Sequence, residues 1–220
     1  MIERHSPNCE PRPEGTPVDV LVLHYTGMRS AEEALAWMCS PASKVSAHYC
    51  IDEAGTITRL VPESSRAWHA GVSHWRGHTD LNSRSIGIEL VNPGHEFGYR
   101  AFPEVQMRTL VLLASAILRR HPIPARNVVG HSDIAPSRKQ DPGELFDWQG
   151  LAGAGIGLWP AKPVPADPVD VPMMLADYGY HAGDAAAVSA FQRHYRPSRI
   201  DGVADEETAE LLAGLLAIAD

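Results

Sequence analysis

Three side chains in this sequence are of the types a metal ion would recruit: His24, His131 and Asp141, with Lys139 two residues before the aspartate. The stretch from Gly130 to Gly143 gathers imidazole, amine and carboxylate in one short segment. Imidazole and carboxylate with one coordination position left for water are the donor set of hydrolytic zinc centres. His24 closes the apolar run Val20-Leu21-Val22-Leu23, a placement that suits a ligand held at the end of a buried strand. With two neutral imidazoles and one carboxylate, a bound Zn²⁺ would keep a charge of about +1 and draw the pKa of a fourth-position water down to roughly 7. Hydroxide then becomes available at neutral pH, which is what amide hydrolysis lacks in bulk water. Singly, each residue is explained as well by core packing or turn formation. Together they predict a metallohydrolase.

Glu89 shares one strand face with Ser85 and Gly87, while Ile86, Ile88 and Leu90 share the other. The missing side chain at Gly87 predicts room for a ligand. A glutamate between Ile88 and Leu90 is costly to bury unless paired or neutralised. Glu89 is therefore the candidate general base on the water and then the proton donor to the leaving amine. Lys139 and Asp141, two apart in an extended segment, point the same way, which makes Lys139 the candidate for stabilising an oxyanion.

Residues 62–84 have no clear period, and a loop of that length in a compact domain is more often functional than idle. Arg66, Trp68, His69 and Trp75 on it are candidate substrate contacts, with packing an equal alternative for Trp75. His74 and His78 read as solvated. His48, where a strand begins, is either structural or a substrate contact. Asp133 reads most simply as a turn former, with a role in orienting His131 as the alternative. His5, His95, His121, His181 and His194 have no evident partner.

These side chains need rigid elements to hold them. The patterning predicts an irregular lead-in over 1–17 and a central strand from Val18 to Tyr25. A helix from Ala31, capped by Ser30 with Glu33 completing a capping box, should end near Cys39-Ser40-Pro41. A hairpin of His48–Asp52 and Thr56–Val61 turns at Glu53-Ala54-Gly55. The strand Ser85–Val91 follows the long loop. Pro103 to Arg120 is an amphipathic helix with Val105, Leu112 and Ala116 on its apolar stripe and Pro103 in its first turn. A short strand at Val128-Val129 leads into His131. The composition then changes: prolines and glycines over 150–172 predict a stiff linker, and 173–220 three short helices.

The 220 residues suffice for one catalytic domain and a small appendage. A formal charge of −8 argues against a nucleic acid partner and gives no reason to expect an anionic membrane surface. No apolar run approaches the ~20 residues of a membrane span. The N-terminus lacks the basic-then-apolar order of a secretory signal. Cys9, Cys39 and Cys50 form no C-x-x-C pair, so neither a thiolate zinc site nor a disulfide framework is indicated. A cytoplasmic location is expected, or a periplasmic one if a leader precedes this sequence.

Five segments in this order resemble the zinc-dependent N-acetylmuramoyl-L-alanine amidases, whose fold is shared with the peptidoglycan recognition proteins. They are Val22-Leu23-His24-Tyr25-Thr26, Ser46-Ala47-His48-Tyr49-Cys50-Ile51-Asp52, Trp68-His69-Ala70-Gly71, Ser85-Ile86-Gly87-Ile88-Glu89-Leu90 and Gly130-His131-Ser132-Asp133-Ile134-Ala135-Pro136. The resemblance runs from about residue 18 to 148. It implies an α/β fold with a central mixed β-sheet flanked by helices. It also implies one Zn²⁺ on His24, His131 and Asp141, acid/base work by Glu89, an oxyanion contact from Lys139, and cleavage of the amide joining the lactyl group of N-acetylmuramic acid to L-alanine. Some relatives carry a tyrosine just before the position of His48. Here it is Ala47, which shifts weight to Glu89. The C-terminal part is similar, partially, to a three-helix peptidoglycan-binding module. The expected layout is a zinc amidase domain over 1–149, a linker over 150–172 and a helical domain over 173–220. The expected substrate is a soluble, anhydro-type muropeptide in wall recycling. Intact peptidoglycan, or muropeptide binding without cleavage, are the alternatives. Oligomeric state is left open.

Overall fold

In the computed structural model, which describes residues 1–219, the strands are β1 (Ile2–Glu3), β2 (Cys9–Pro11), β3 (Val20–Tyr25), β4 (Tyr49–Ile51), β5 (Ile57–Arg59), β6 (Ser65–Ala67), β7 (Ser85–Leu90) and β8 (Val128–Gly130). The α-helices are α1 (Ala31–Met38), α2 (Leu81–Arg84), α3 (Gly94–Phe97), α4 (Glu104–Arg120), α5 (His131–Ile134), α6 (Trp148–Gly153), α7 (Val171–Tyr178), α8 (Ala187–Tyr195) and α9 (Glu206–Leu216). Six strands form one sheet in the order β1-β5-β4-β7-β3-β8. Its central strands β4, β7, β3 and β8 run parallel, and β5 is antiparallel to β4. This is the mixed, helix-flanked sheet expected from the sequence. Among the described residues no helix is long and apolar enough to cross a membrane.

Alternation along β3 divides the core in two. Leu21 and Leu23, with Ile86, Ile88 and Leu90 of β7, pack against Leu110, Leu113 and Ile117 of α4. Val20 and Val22 point the other way, into a core with Leu175 of α7, Phe191 of α8 and Leu212 of α9. Each large side chain buried here contributes roughly 1.5–3 kcal/mol. The C-terminal helices thus cover the face of the sheet that also carries His24, and only the strand ends stay open on that side.

Five local expectations are corrected. The lead-in is not irregular, because β1 pairs with β5 and β2 with β6. Such edge pairing uses backbone groups and leaves no side-chain period to read. The same pairing puts a strand in the long loop, and α2 closes it. In α4 the stripe is rotated: Leu112 is 73% exposed, while Gln106, Leu110, Leu113, Ala114 and Ile117 are buried. Apolar residues lie on more than one face of that helix, and the sheet selects one of them. The linker is shorter than 150–172, since α6 runs to Gly153 and α7 starts at Val171. Leu151 and Ile156, inside the expected linker, are buried with Val128. The Ser30 cap is as expected, accepting from the Glu33 amide, but Glu33 reaches the amide of Arg29.

Candidate metal centre and catalytic cavity

The parallel register of β3 and β7 sets His24 beside Glu89 at the open end of the sheet. His131 is the first residue of α5, directly after β8. Asp141 is tied to that turn because the Ser132 amide donates to its carbonyl at 2.9 Å. Three buried atoms then converge. His24 Nδ1 lies 3.0 Å from His131 Nδ1, and Asp141 Oδ2 lies 3.0 Å from the first and 3.1 Å from the second.

The surrounding hydrogen bonds decide which of these atoms carries a proton. Ser85 Oγ donates its hydrogen to the Leu81 carbonyl at 2.6 Å. His69 Nε2, 3.1 Å from that Oγ, must therefore be the donor between them. In a neutral ring His69 Nδ1 is then bare, and it accepts from His24 Nε2 at 3.0 Å. His24 Nδ1 is bare in turn. Burial first of all keeps these rings neutral, lowering His24 to about 4 against the pull of Asp141, and holding His69 well below the ordinary imidazole value. His131 Nε2 lies 3.1 Å from the Ala70 carbonyl, which only accepts, so a neutral His131 also presents a bare Nδ1 inward. In these tautomers two imidazole lone pairs and a carboxylate oxygen face one another.

Such a triangle is repulsive unless a cation sits on it. Its edges are a few tenths of an ångström shorter than the ~3.3 Å subtended by zinc bonds of about 2.0–2.1 Å at tetrahedral angles. Among the described residues this is the one group of His, Cys, Asp or Glu arranged to hold a metal. The donor set fits zinc, with nitrogen and oxygen ligands and an open side toward a cavity of about 390 Å³.

Glu89 and Lys139 line that cavity with His131 and Asp141. Glu89 is half-buried on a central strand, not on an edge, and its Oε2 has no partner. Burial, then the charge of Asp141, raise its pKa well above the ordinary carboxylate range, against an opposing contribution from Lys139.

The loop residues separate. Trp68 lines the cavity. His69 lines it too, but both its ring nitrogens are engaged with His24 and Ser85. The space left by Gly87 is filled by that ring, since a Cβ there would lie 2.6 Å from it. The ligand room expected at Gly87 is thus occupied by the protein's own imidazole. Trp75 is 1% exposed, edge-on to Tyr178 and Tyr180, with Nε1 donating to Asn127. A sugar cannot stack on it. Arg66 pairs with Glu10 and Asp80 and lines a different cavity. His48 is structural: Nδ1 accepts from the Gly87 amide, and Nε2 is 3.1 Å from the Ser65 carbonyl.

Sequence reasoning missed Trp37, which is 49% exposed at the cavity rim on α1, and Arg138, which lines the cavity and donates to the Val72 carbonyl. It also left without partners His95, which meets Tyr25 and Glu144, and His194, which meets Asp133. An exposed tryptophan closing a helix was a readable signal. The histidine partners lie 49 or more residues away in the chain and were not.

The sequence model of the N-acetylmuramoyl-L-alanine amidases matches residues 14–144. The chain is similar to N-acetylmuramoyl-L-alanine amidase AmiD of Escherichia coli K12, 39% identical over 230 residues that span 90% of this chain and 82% of that one. It is 35% identical to the 1,6-anhydro-N-acetylmuramyl-L-alanine amidase AmpD of Citrobacter freundii over 160 residues, 65% of this chain and 83% of the other. Among solved structures, E. coli AmiD in complex with anhydro-N-acetylmuramic acid-L-Ala-D-gamma-Glu-L-Lys superposes with a TM-score of 0.82 at 38% identity, covering 94% of this chain and 92% of that one. AmpDh3 from Pseudomonas aeruginosa, in complex with an anhydromuramic pentapeptide, gives 0.83 at 35% identity and covers 93% of each chain.

Proposed function

This chain belongs to the N-acetylmuramoyl-L-alanine amidase family, and on that premise we propose that it is a zinc hydrolase of soluble anhydro-muropeptides. The bond cut joins the lactyl group of N-acetylmuramic acid to the L-alanine of the stem peptide. The observation that carries the metal is the convergence of His24 Nδ1, His131 Nδ1 and Asp141 Oδ2, each 3.0–3.1 Å from the other two. The relatives solved with anhydromuramyl peptides support the substrate class.

Zinc held by these three residues would supply an acidified water and a Lewis acid for the scissile carbonyl. Glu89 takes a proton from the attacking water and later gives it to the departing alanine nitrogen; its raised pKa suits both tasks. Lys139 sets an ammonium on the cavity wall, where negative charge grows on the carbonyl oxygen. His69 holds His24 in the tautomer that keeps Nδ1 free. The C–N bond breaks, leaving a lactyl carboxylate and a peptide that begins with L-alanine. For the compartment we propose the cytoplasm, which suits three free cysteines; the periplasm is the alternative, and cell fractionation decides.

The test is mass spectrometry of a 1,6-anhydromuramyl tetrapeptide incubated with zinc-loaded protein. Release of free tetrapeptide is expected. An intact substrate alongside folded, zinc-replete protein would overturn the proposal.

A further inference from the structure

We propose that the C-terminal helices position the candidate metal ligand His131, by gripping the Asp133 carboxylate through Tyr180 and His194. This rests on the reading of His131 as a ligand.

Asp133 sits two residues after His131 on the same turn and is 1% exposed. Its Oδ2 accepts from the Gly130 amide at 2.7 Å and from His194 Nδ1 at 2.8 Å. Its Oδ1 accepts from the Tyr180 hydroxyl at 2.7 Å. One of these donors belongs to the turn itself; the other two come from α8 and from the residue after Gly179 that leaves α7. A buried carboxylate needs all of them, because each lone pair left bare keeps its desolvation cost.

The turn cannot hold itself. α5 is four residues long, and a helix of one turn has fixed its backbone for almost no internal hydrogen bonding. What orients it must come from outside. On one side the Ser132 amide is bound to the Asp141 carbonyl, linking the two ligand segments. On the other side stands the contact with the C-terminal helices. That contact is itself rigid. The His194 ring is stacked between Trp148 at 3.7 Å and Tyr195 at 3.9 Å between centroids, and Tyr180 is edge-on to buried Trp75. A rotation of the turn about its axis would swing His131 Nδ1 off the triangle and pull Asp133 off His194 together. The C-terminal helices are, on this view, part of the metal centre's support rather than a separate wall-binding unit.

The experiment uses the full chain with three substitutions: Tyr180→Phe, His194→Leu and His194→Asn. Zinc affinity is read by competition with a chromogenic chelator, and the cobalt-loaded protein gives a visible spectrum that reports ligand geometry. Tyr180→Phe and His194→Leu should weaken zinc binding by roughly 10–100-fold and alter the cobalt spectrum. His194→Asn, whose amide nitrogen falls near the place of Nδ1, should restore both. Tyr180→Phe keeps the buried ring and decides the matter if His194→Leu does not fold. Folded variants with unchanged zinc affinity and cobalt spectrum would overturn the proposal while leaving the metal reading intact. A wild-type protein that binds no zinc would overturn both.

Discussion

His69 Nδ1 lies 3.0 Å from His24 Nε2, so the ring that the long loop inserts beneath Gly87 fixes which nitrogen His24 turns toward Asp141. The chain of hydrogen bonds ends on a backbone acceptor, the Leu81 carbonyl, and runs back through Ser85 Oγ to both rings. Metal ligands depend on such outer partners for orientation and basicity.

His69→Ala should accordingly weaken zinc binding by roughly 10–100-fold while the fold survives. Gly87→Ala should do the same without removing any polar group, because its Cβ would strike the His69 ring. Competition titration with a chelator measures both. Gly87→Ala with wild-type zinc affinity would show that the His69 position does not matter.

Glu89→Gln keeps the shape and removes the carboxylate that takes up and returns the proton. Turnover should fall by about 10²–10⁴-fold with zinc affinity largely retained. As a base, Glu89 must be ionised, and its pKa is raised, chiefly by burial. The acid limb of kcat/KM should therefore lie above the ordinary carboxylate range, with activity lost as pH falls through it. Steady-state kinetics across pH checks this, and a limb unchanged in Glu89→Gln would assign it elsewhere.

Acid should destabilise the metal-free protein through His48. Burial lowers this histidine to about 3, from an unfolded value near 6.5. Below about 6.5 the unfolded chain holds a proton that the native state lacks, so stability rises with pH there and is lost on acidification. The slope is roughly 1.4 kcal/mol per pH unit from this residue, running from about pH 6 down toward 3. Replacing His48 with Gln should reduce the slope by about that amount in urea titrations between pH 4 and 6. An identical slope in the two proteins would contradict the assignment.

Trp75→Ala should cost about 3–5 kcal/mol, because the indole is buried among Tyr178, Tyr180 and their neighbours. For a chain of this size that is a drop of roughly 6–20 °C in Tm. KM measured below the transition should not change. A raised KM with unchanged Tm would instead mark Trp75 as a substrate contact.

Much of the site was legible in residue types and spacing. Two imidazoles, a carboxylate, a lysine two residues from it and a glutamate among strand isoleucines announce hydrolytic metal chemistry, because few other uses justify burying them. Strand alternation placed Ile86, Ile88 and Leu90 opposite Glu89, since that period belongs to the backbone itself. What the pattern could not say was which partner each group would meet. Gly87 reads as empty space until His69, brought in by a loop, fills it. Trp75 reads equally as a substrate contact or a packing residue until α7 covers it. The apolar stripe of α4 was a choice among faces that only the sheet could make. His194 had no visible partner because Asp133 lies 61 residues away, and hydrogen bonds between distant segments leave no periodic trace. The sequence by itself determined the chemistry and the strand faces, both of which are local. The tertiary structure alone decided tautomers, cavity walls and the grip on the metal turn, because those depend on which atoms the folded chain brings within hydrogen-bonding distance.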